Sequence, residues 1–221
     1  MIPAQIVETL EACRIVAGIS SSNTESASRI AEILVDEGVR FIEISFTTPR
    51  ATELIARLRL QFDPSVVIVG AGGLRTVPDV RRAVASGANF LASPGSGPEV
   101  LRAMLSTGKM AIPSVFTSSE IMTAANLGAK TMRLFPTDSI SPAYFFSLAA
   151  KFPDIRFIPT GSIVESDVSE WLSARAVAVG AEGFSYRSLA DEPHLRQTAR
   201  ALLAECLPER RSAESESFMR S

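Results

Sequence analysis

The sequence predicts an α/β protein: a single compact (β/α)8 barrel of the TIM type, with one extra helix ahead of it. Three observations carry that expectation. Short β-rich apolar runs alternate with amphipathic stretches along nearly the whole chain. The alternation repeats eight times in about 200 residues, which suits a closed eight-stranded barrel. Finally, 46% of the 221 residues are hydrophobic, enough for one large core. An open doubly wound sheet is the alternative architecture with the same alternation.

The strands are expected over Arg14–Ile19, Phe41–Ser45, Val66–Gly70, Asn89–Ser93, Met110–Ser114, Thr131–Phe135, Ile155–Thr160 and Ala176–Gly180. Helical patterns fall between them, over Thr24–Glu37, Ala51–Gln61, Val77–Ala85, Pro98–Ser106, Ser119–Leu127, Pro142–Lys151 and Glu165–Leu172. Thr117, with Glu120 three residues on, reads as a helix N-cap with its returning glutamate. Gly38, Gly87, Gly108 and Gly128 each follow a helical stretch, as C-terminal caps do. The first dozen residues read as a helix that could close the bottom of the barrel. No linker interrupts the pattern, so residues 1–207 are expected to form one barrel. The remaining 208–221 form a polar tail, expected to be disordered.

Charge and composition exclude several classes. A net charge of -2 gives no electrostatic reason to bind nucleic acid or an anionic membrane. No apolar run approaches the roughly 20 residues that span a bilayer, and no basic-then-apolar leader opens the chain. Two distant cysteines, Cys13 at the start of strand one and Cys206 on the last helix, fit a reduced cytoplasmic setting. The single histidine, His194, reads as a solvated residue at a helix start. Glu43 and Asp138 are the only carboxylates placed at the productive end of the barrel, so neither a metal nor a cofactor is expected.

Strand parity then sorts the interior from the helix side. Ile42 and Ile44 suit the helices, which turns Phe41, Glu43 and Ser45 inward. Met132 and Leu134 do the same for Thr131, Arg133 and Phe135, and Thr160 shares the inward parity of Ile158. One carboxylate and one guanidinium thus enter the same barrel. A lone buried charge is costly, so Glu43 and Arg133 are expected to pair. Barrel interiors are normally filled with branched apolar residues, and catalytic groups sit at the C-terminal strand ends. The pair therefore reads as a site, with an inert filling pair as the alternative.

At these residues the chain resembles the 2-keto-3-deoxy-6-phosphogluconate / 4-hydroxy-2-oxoglutarate (KDPG/KHG) aldolase family. The likeness runs from about residue 14 to about 203. It rests on Gly38-Val39-Arg40-Phe41-Ile42-Glu43-Ile44, Gly70-Ala71-Gly72, Ala92-Ser93-Pro94-Gly95, Pro113 followed by Thr117 and Glu120, Arg133-Leu134-Phe135-Pro136, and Pro159-Thr160-Gly161. The resemblance implies a homotrimeric barrel that cleaves a 2-keto acid to pyruvate and an aldehyde. It implies proton transfer by Glu43 and a hold on the pyruvyl carboxylate by Thr160. Substrate contacts are implied at Gly72, Gly73, Ser93, Pro94, Phe135, Gly161, Ser162 and Gly180, with Gly161 and Ser162 in a phosphate cradle.

Four positions depart from that pattern. Arg133 stands where the family has its Schiff-base lysine, Thr47 where an arginine is common, and Gly73 where a threonine ends the Gly-Ala-Gly turn. Gly180-Ala181-Glu182 replaces a Gly-Gly-Ser turn and sets a carboxylate beside the phosphate position. A guanidinium stays protonated and offers no lone pair to a carbonyl. The chain has three lysines, Lys109, Lys130 and Lys151, each in a helix-to-strand connection on the face away from an active site. The expectation is therefore a lyase acting on a small-molecule 2-keto-3-deoxy sugar acid without imine chemistry. An enolising isomerase or epimerase, and a non-catalytic sugar-acid binder, are the alternatives.

Overall fold

The computed structural model describes residues 3–184 and 189–206; the 208–221 tail expected from the sequence lies outside them. Eight parallel strands close into a barrel in sequence order, β1 joining both β2 and β8. They are β1 Ile15–Ile19, β2 Phe41–Ser45, β3 Ile68–Gly72, β4 Phe90–Ser93, β5 Met110–Val115, β6 Thr131–Leu134, β7 Arg156–Gly161 and β8 Val179–Phe184. The helices are α1 Pro3–Cys13, α2 Thr24–Asp36, α3 Ala51–Gln61, α4 Val77–Ala85, α5 Pro98–Ser106, α6 Ser118–Leu127, α7 Pro142–Ala149, α8 Val168–Ser173 and α9 Glu192–Cys206. The open-sheet alternative is thereby excluded.

Several boundaries correct the sequence expectation. β3 begins and ends two residues later than expected, and β8 runs Val179–Phe184 instead of Ala176–Gly180. Both segments are apolar on both faces, as buried parallel strands are, so periodicity does not fix their ends. The shift puts Gly180, Ala181 and Glu182 within a strand, where a turn was expected. Cys13 ends α1 and does not open β1. Short 3-10 turns at Thr137–Ser139 and Glu165–Asp167 precede α7 and α8.

The core divides into two layers, as the alternation of side chains requires. Ile42, Ile44, Met132 and Leu134 join the outer layer between strands and helices. Phe41, Ile68, Phe90, Ile112 and Ile158 fill the barrel itself, together with Ile6 and Leu10 from α1. The extra helix is thus the plug of the N-terminal end. Phe41 and Phe90 lie 5.3 Å apart between ring centres, and the absence of a side chain at Gly70 leaves the space that the Phe90 ring occupies. With its lower half packed solid, the barrel can open only toward the C-terminal strand ends.

Local signals hold the helices in place. Thr117 accepts from the Glu120 amide while the Glu120 carboxylate accepts from the Thr117 amide, a reciprocal cap. Gly128 ends the same helix at φ 108°, a left-handed conformation that costs glycine little. Among the described residues, no helix is long and apolar enough to cross a membrane.

Candidate active site

Above the packed layer, Glu43 of β2 and Arg133 of β6 meet across the barrel. Arg133 donates from both terminal nitrogens, Nη1 to Glu43 Oε1 at 3.2 Å and Nη2 to Oε2 at 2.5 Å. Their side chains are 8% and 7% exposed, so this is a buried bidentate pair. The missing side chain at Gly72 makes the room: a Cβ there would run into the Glu43 carboxylate. Gly72 therefore shapes the site from behind, through Glu43.

A second carboxylate claims the same guanidinium. Glu182 of β8 places Oε1 3.7 Å from Arg133 Nη1 and keeps 43% of its side-chain surface exposed. Burial pushes the Glu182 carboxyl above its ordinary value; Arg133 opposes this, and Glu43 and Asp138 add to it. Burial also works against the charge on Arg133, but the field of Glu43, the hydrogen bonds to it and the field of Glu182 outweigh burial and raise its pKa. Among the described residues, two polar atoms here find no partner, Arg133 Nε and Ser114 Oγ, on residues paired in register between β5 and β6.

The pair floors a cavity of about 290 Å³ at the C-terminal end of the strands. Its walls include Gly18, Ser20, Ser45, Gly73, Pro94, Ser114, Phe135 and Glu182. A larger concavity of about 550 Å³ lies at the opposite end, lined by Lys130, Asp154, Arg156 and Arg175. Size does not decide between them. Active sites of such barrels form at the C-terminal face, and only the smaller cavity reaches the enclosed charges.

The other sequence-read residues divide into three groups. Gly73, Pro94 and Phe135 line the cavity with Glu43 and Arg133. Ser93 and Thr160 do not. Ser93 donates to the Gly95 carbonyl at 2.6 Å. Thr160 is fully enclosed, donates to the Ile158 carbonyl at 3.1 Å and fills the space left by Gly180. Gly161 and Ser162 lie at the end of β7 against Thr137 and Asp138. The Ser162 hydroxyl, then the amides of Asp138 and Ser162, hold the Asp138 carboxyl below its ordinary value.

The sequence reading set Glu182 only beside the phosphate position and gave Ser114 and Ser45 no ligand role. Glu182 enters as a wall and as a partner of Arg133, because β8 runs later than expected. Ser114 was read only as the end of a strand, although its inward parity could have marked it. Ser20 and Ser45 both bond Thr47, at 3.0 and 2.7 Å between hydroxyl oxygens, which builds a row of hydroxyls along one side of the mouth. The remaining polar candidates fall elsewhere. Arg50 stands outside at the start of α3, with Glu25 and Glu53 3.7 and 3.6 Å away. Cys206 is buried, and burial pushes its thiol up to about 12, so it is no nucleophile. Among the described residues, no group of three His, Cys, Asp or Glu is arranged to hold a metal ion.

All three lysines stay at the N-terminal side. Lys109 and Lys130 immediately precede β5 and β6, and Lys151 lies in the connection from α7 to β7. Burial, then the nearby Arg59, lowers the Lys109 pKa, but at the wrong end of its strand to meet the cavity.

A parallel eight-stranded barrel with enclosed acid and guanidinium groups at its C-terminal mouth has its polar groups where the active sites of barrel enzymes form. The model of the KDPG and KHG aldolase family matches residues 6–197, and the chain belongs to that family. It is 33% identical over 177 residues to a 2-dehydro-3-deoxy-phosphogluconate aldolase of Treponema pallidum, covering 79% of this chain and 83% of that one. It is 32% identical to a protein of the same name from Dickeya dadantii, over 77% and 79% of the two chains. Among solved structures, a KDPG aldolase of Legionella pneumophila, with pyruvate captured as a covalent carbinolamine, superposes with a TM-score of 0.73. It is 25% identical, over 91% of this chain and 97% of that one.

Proposed function

We propose that this chain binds a 2-keto-3-deoxy sugar acid in the C-terminal cavity and cleaves it to pyruvate and an aldehyde without an imine. One observation carries the reading: the floor of the cavity is a carboxylate–guanidinium pair, and none of the three lysines lines it. A carbinolamine like that captured in the Legionella protein needs an uncharged amine. Arginine keeps its proton at any ordinary pH and cannot supply one.

The chemistry follows from the donors present. Glu43 takes the proton of the C4 hydroxyl, the C3–C4 bond breaks, and its electron pair becomes the enolate of pyruvate. Arg133 stabilises the enolate and carboxylate oxygens, with Nε available once a ligand reaches it. Glu43 then returns the proton to the methylene carbon. Losing the imine removes the main electron sink, and each tenfold loss of rate is about 1.4 kcal/mol of barrier, so turnover is expected to be slow. The same reading includes a homotrimer working in the cytoplasm.

A second reading, binding without turnover, is favoured by the bidentate grip: both oxygens of Glu43 are already engaged by Arg133. A pyruvate-release assay beside calorimetry separates the two. Release abolished by Glu43→Gln supports the lyase; binding with no release supports the binder. Borohydride treatment with labelled pyruvate is expected to leave no adduct, and a trapped lysine overturns imine-free chemistry altogether. Arg133→Lys is expected to create adduct formation if the rest of the site is intact.

A further inference from the structure

We propose that the cavity accepts a ligand with one anionic head and an uncharged, hydroxyl-bearing tail, and discriminates against the same ligand carrying a terminal phosphate. This deepens the reading of the cavity as a 2-keto-acid site and rests on it.

The argument starts from where the charges lie. At the floor, Arg133 is held by Glu43 and approached by Glu182. Among the described residues it is the one cation lining the cavity, and both acids line the cavity with it. An entering carboxylate can compete for Arg133, so one anionic group has a place. The outer part of the cavity offers no second place. Glu182 stands in the wall between floor and mouth, and Gly18 on β1 packs beside it without adding a side chain.

Asp138 lies close enough to Glu182 for the two to repel, which is one reason the Glu182 carboxyl sits above its ordinary value. A phosphate arriving there would bring nearly two further negative charges into a region that already resists ionising one carboxylate. The donors it would need are also taken. The hydroxyl and amide of Ser162, at the end of β7, both serve the Asp138 carboxylate, an internal anion.

The ends of the neighbouring strands β1 and β2 give the mouth a different character. Ser20, Ser45 and Thr47 form a chain of hydroxyls in which either member of each bond can be the donor. Such groups reorient to donate or accept, which matches alcohols on a ligand and carries no charge preference. Apolar Pro94 and Phe135 complete the wall. The cavity thus pairs a charge-reading floor with a charge-neutral, hydroxyl-reading rim, with Glu182 in the wall and Asp138 acting on it from nearby.

Calorimetry at pH 7.5 with pyruvate, 2-keto-3-deoxygluconate and its 6-phosphate tests this. The unphosphorylated acid is expected to bind at least tenfold more tightly than the phosphorylated one. That ratio is expected to shrink about tenfold in Glu182→Gln/Asp138→Asn, and to shrink as salt is added, since screening weakens repulsion between partly exposed charges. Glu182→Gln and Asp138→Asn are nearly isosteric and are also measured singly. Equal or tighter binding of the phosphorylated acid by the natural protein, with pyruvate still binding, overturns this inference alone. A ratio that neither variant nor salt moves also overturns it. If neither sugar acid binds and pyruvate is silent too, the 2-keto-acid reading falls and takes this inference with it.

Discussion

Glu37 and Glu43 are both gripped by arginine, and the two grips are built in opposite proportions. Glu37, just after α2, is served by two guanidiniums from α9: Arg196 at 2.8 Å, and Arg200 at 2.5 and 3.1 Å. Hydrogen bonds from Arg200 and then Arg196 hold its carboxyl down at about 2. At the barrel mouth one guanidinium serves two carboxylates, and the outer one, Glu182, is pushed up. The first arrangement over-satisfies its acid and ties two helices together. The second leaves a cation contested and two buried polar atoms, Arg133 Nε and Ser114 Oγ, without partners among the described residues. A structural clamp saturates its hydrogen bonds, whereas a binding site keeps some of its capacity unspent for a ligand.

The largest effect is expected at the contested cation. Arg133→Met strands Glu43 in the interior, and breaking a buried pair from one side costs about 3–5 kcal/mol. Adding Glu43→Leu removes the stranded charge and is expected to recover most of that loss. Urea unfolding of the two single variants and the double variant measures the coupling. If the double variant is no more stable than Arg133→Met alone, the pair does not act as one unit and the comparison loses one side.

The clamp is expected to respond less, and with a definite pH dependence. A carboxylate whose folded pKa lies below its unfolded value stabilises the fold above the unfolded value, here 4.5. That contribution is lost as pH falls through about 2. Solvent screening leaves Glu37 worth on the order of 1 kcal/mol. Glu37→Gln should therefore lower the melting temperature at pH 7, with the deficit vanishing as pH drops from 4.5 toward 2. Glu182 carries the opposite sign. Its raised carboxyl favours the fold below its unfolded value, and that advantage is lost as pH rises through the folded one. A Glu37→Gln deficit that persists unchanged at pH 2 would show that the two grips do not differ as described.

Much of this contrast was legible in the sequence, and the part that was not has a physical cause. Parity alone turned Glu43 and Arg133 inward, because Ile42, Ile44, Met132 and Leu134 mark the other face unambiguously. Ala51–Gln61, Val77–Ala85 and Pro98–Ser106 keep their expected bounds, and for the last two a proline in the first turn fixes where the helix begins. Glu182 was legible as a carboxylate near the mouth but not as a partner of Arg133, because the stretch from Ala176 to Ala181 is small and apolar on both faces. Nothing in it says where the strand stops, so a wall residue was read as part of a turn. Glu37 escaped because its partners, Arg196 and Arg200, lie about 160 positions away, and no local period connects a helix end to a distant helix. Thr160 was read as a ligand contact from resemblance, yet its hydroxyl is spent on its own strand.

The smallest effect tests whether the unpartnered atoms are what they are taken to be. Ser114 and Thr160 are both buried hydroxyls on barrel strands, 4% and 0% exposed. Thr160 donates to a carbonyl, whereas Ser114 has no partner among the described residues. Deleting a satisfied buried hydroxyl costs about 1 kcal/mol, while deleting an unsatisfied one relieves a desolvation penalty. Thr160→Val should therefore lower stability. Ser114→Ala should leave it unchanged or raise it by about 0.5 kcal/mol, while weakening any ligand that reaches Arg133 Nε. Differential scanning calorimetry on both variants decides the matter. If Ser114→Ala destabilises as much as Thr160→Val, its hydroxyl already has work in the folded protein, and unspent hydrogen-bonding capacity no longer separates the mouth of this barrel from its clamp.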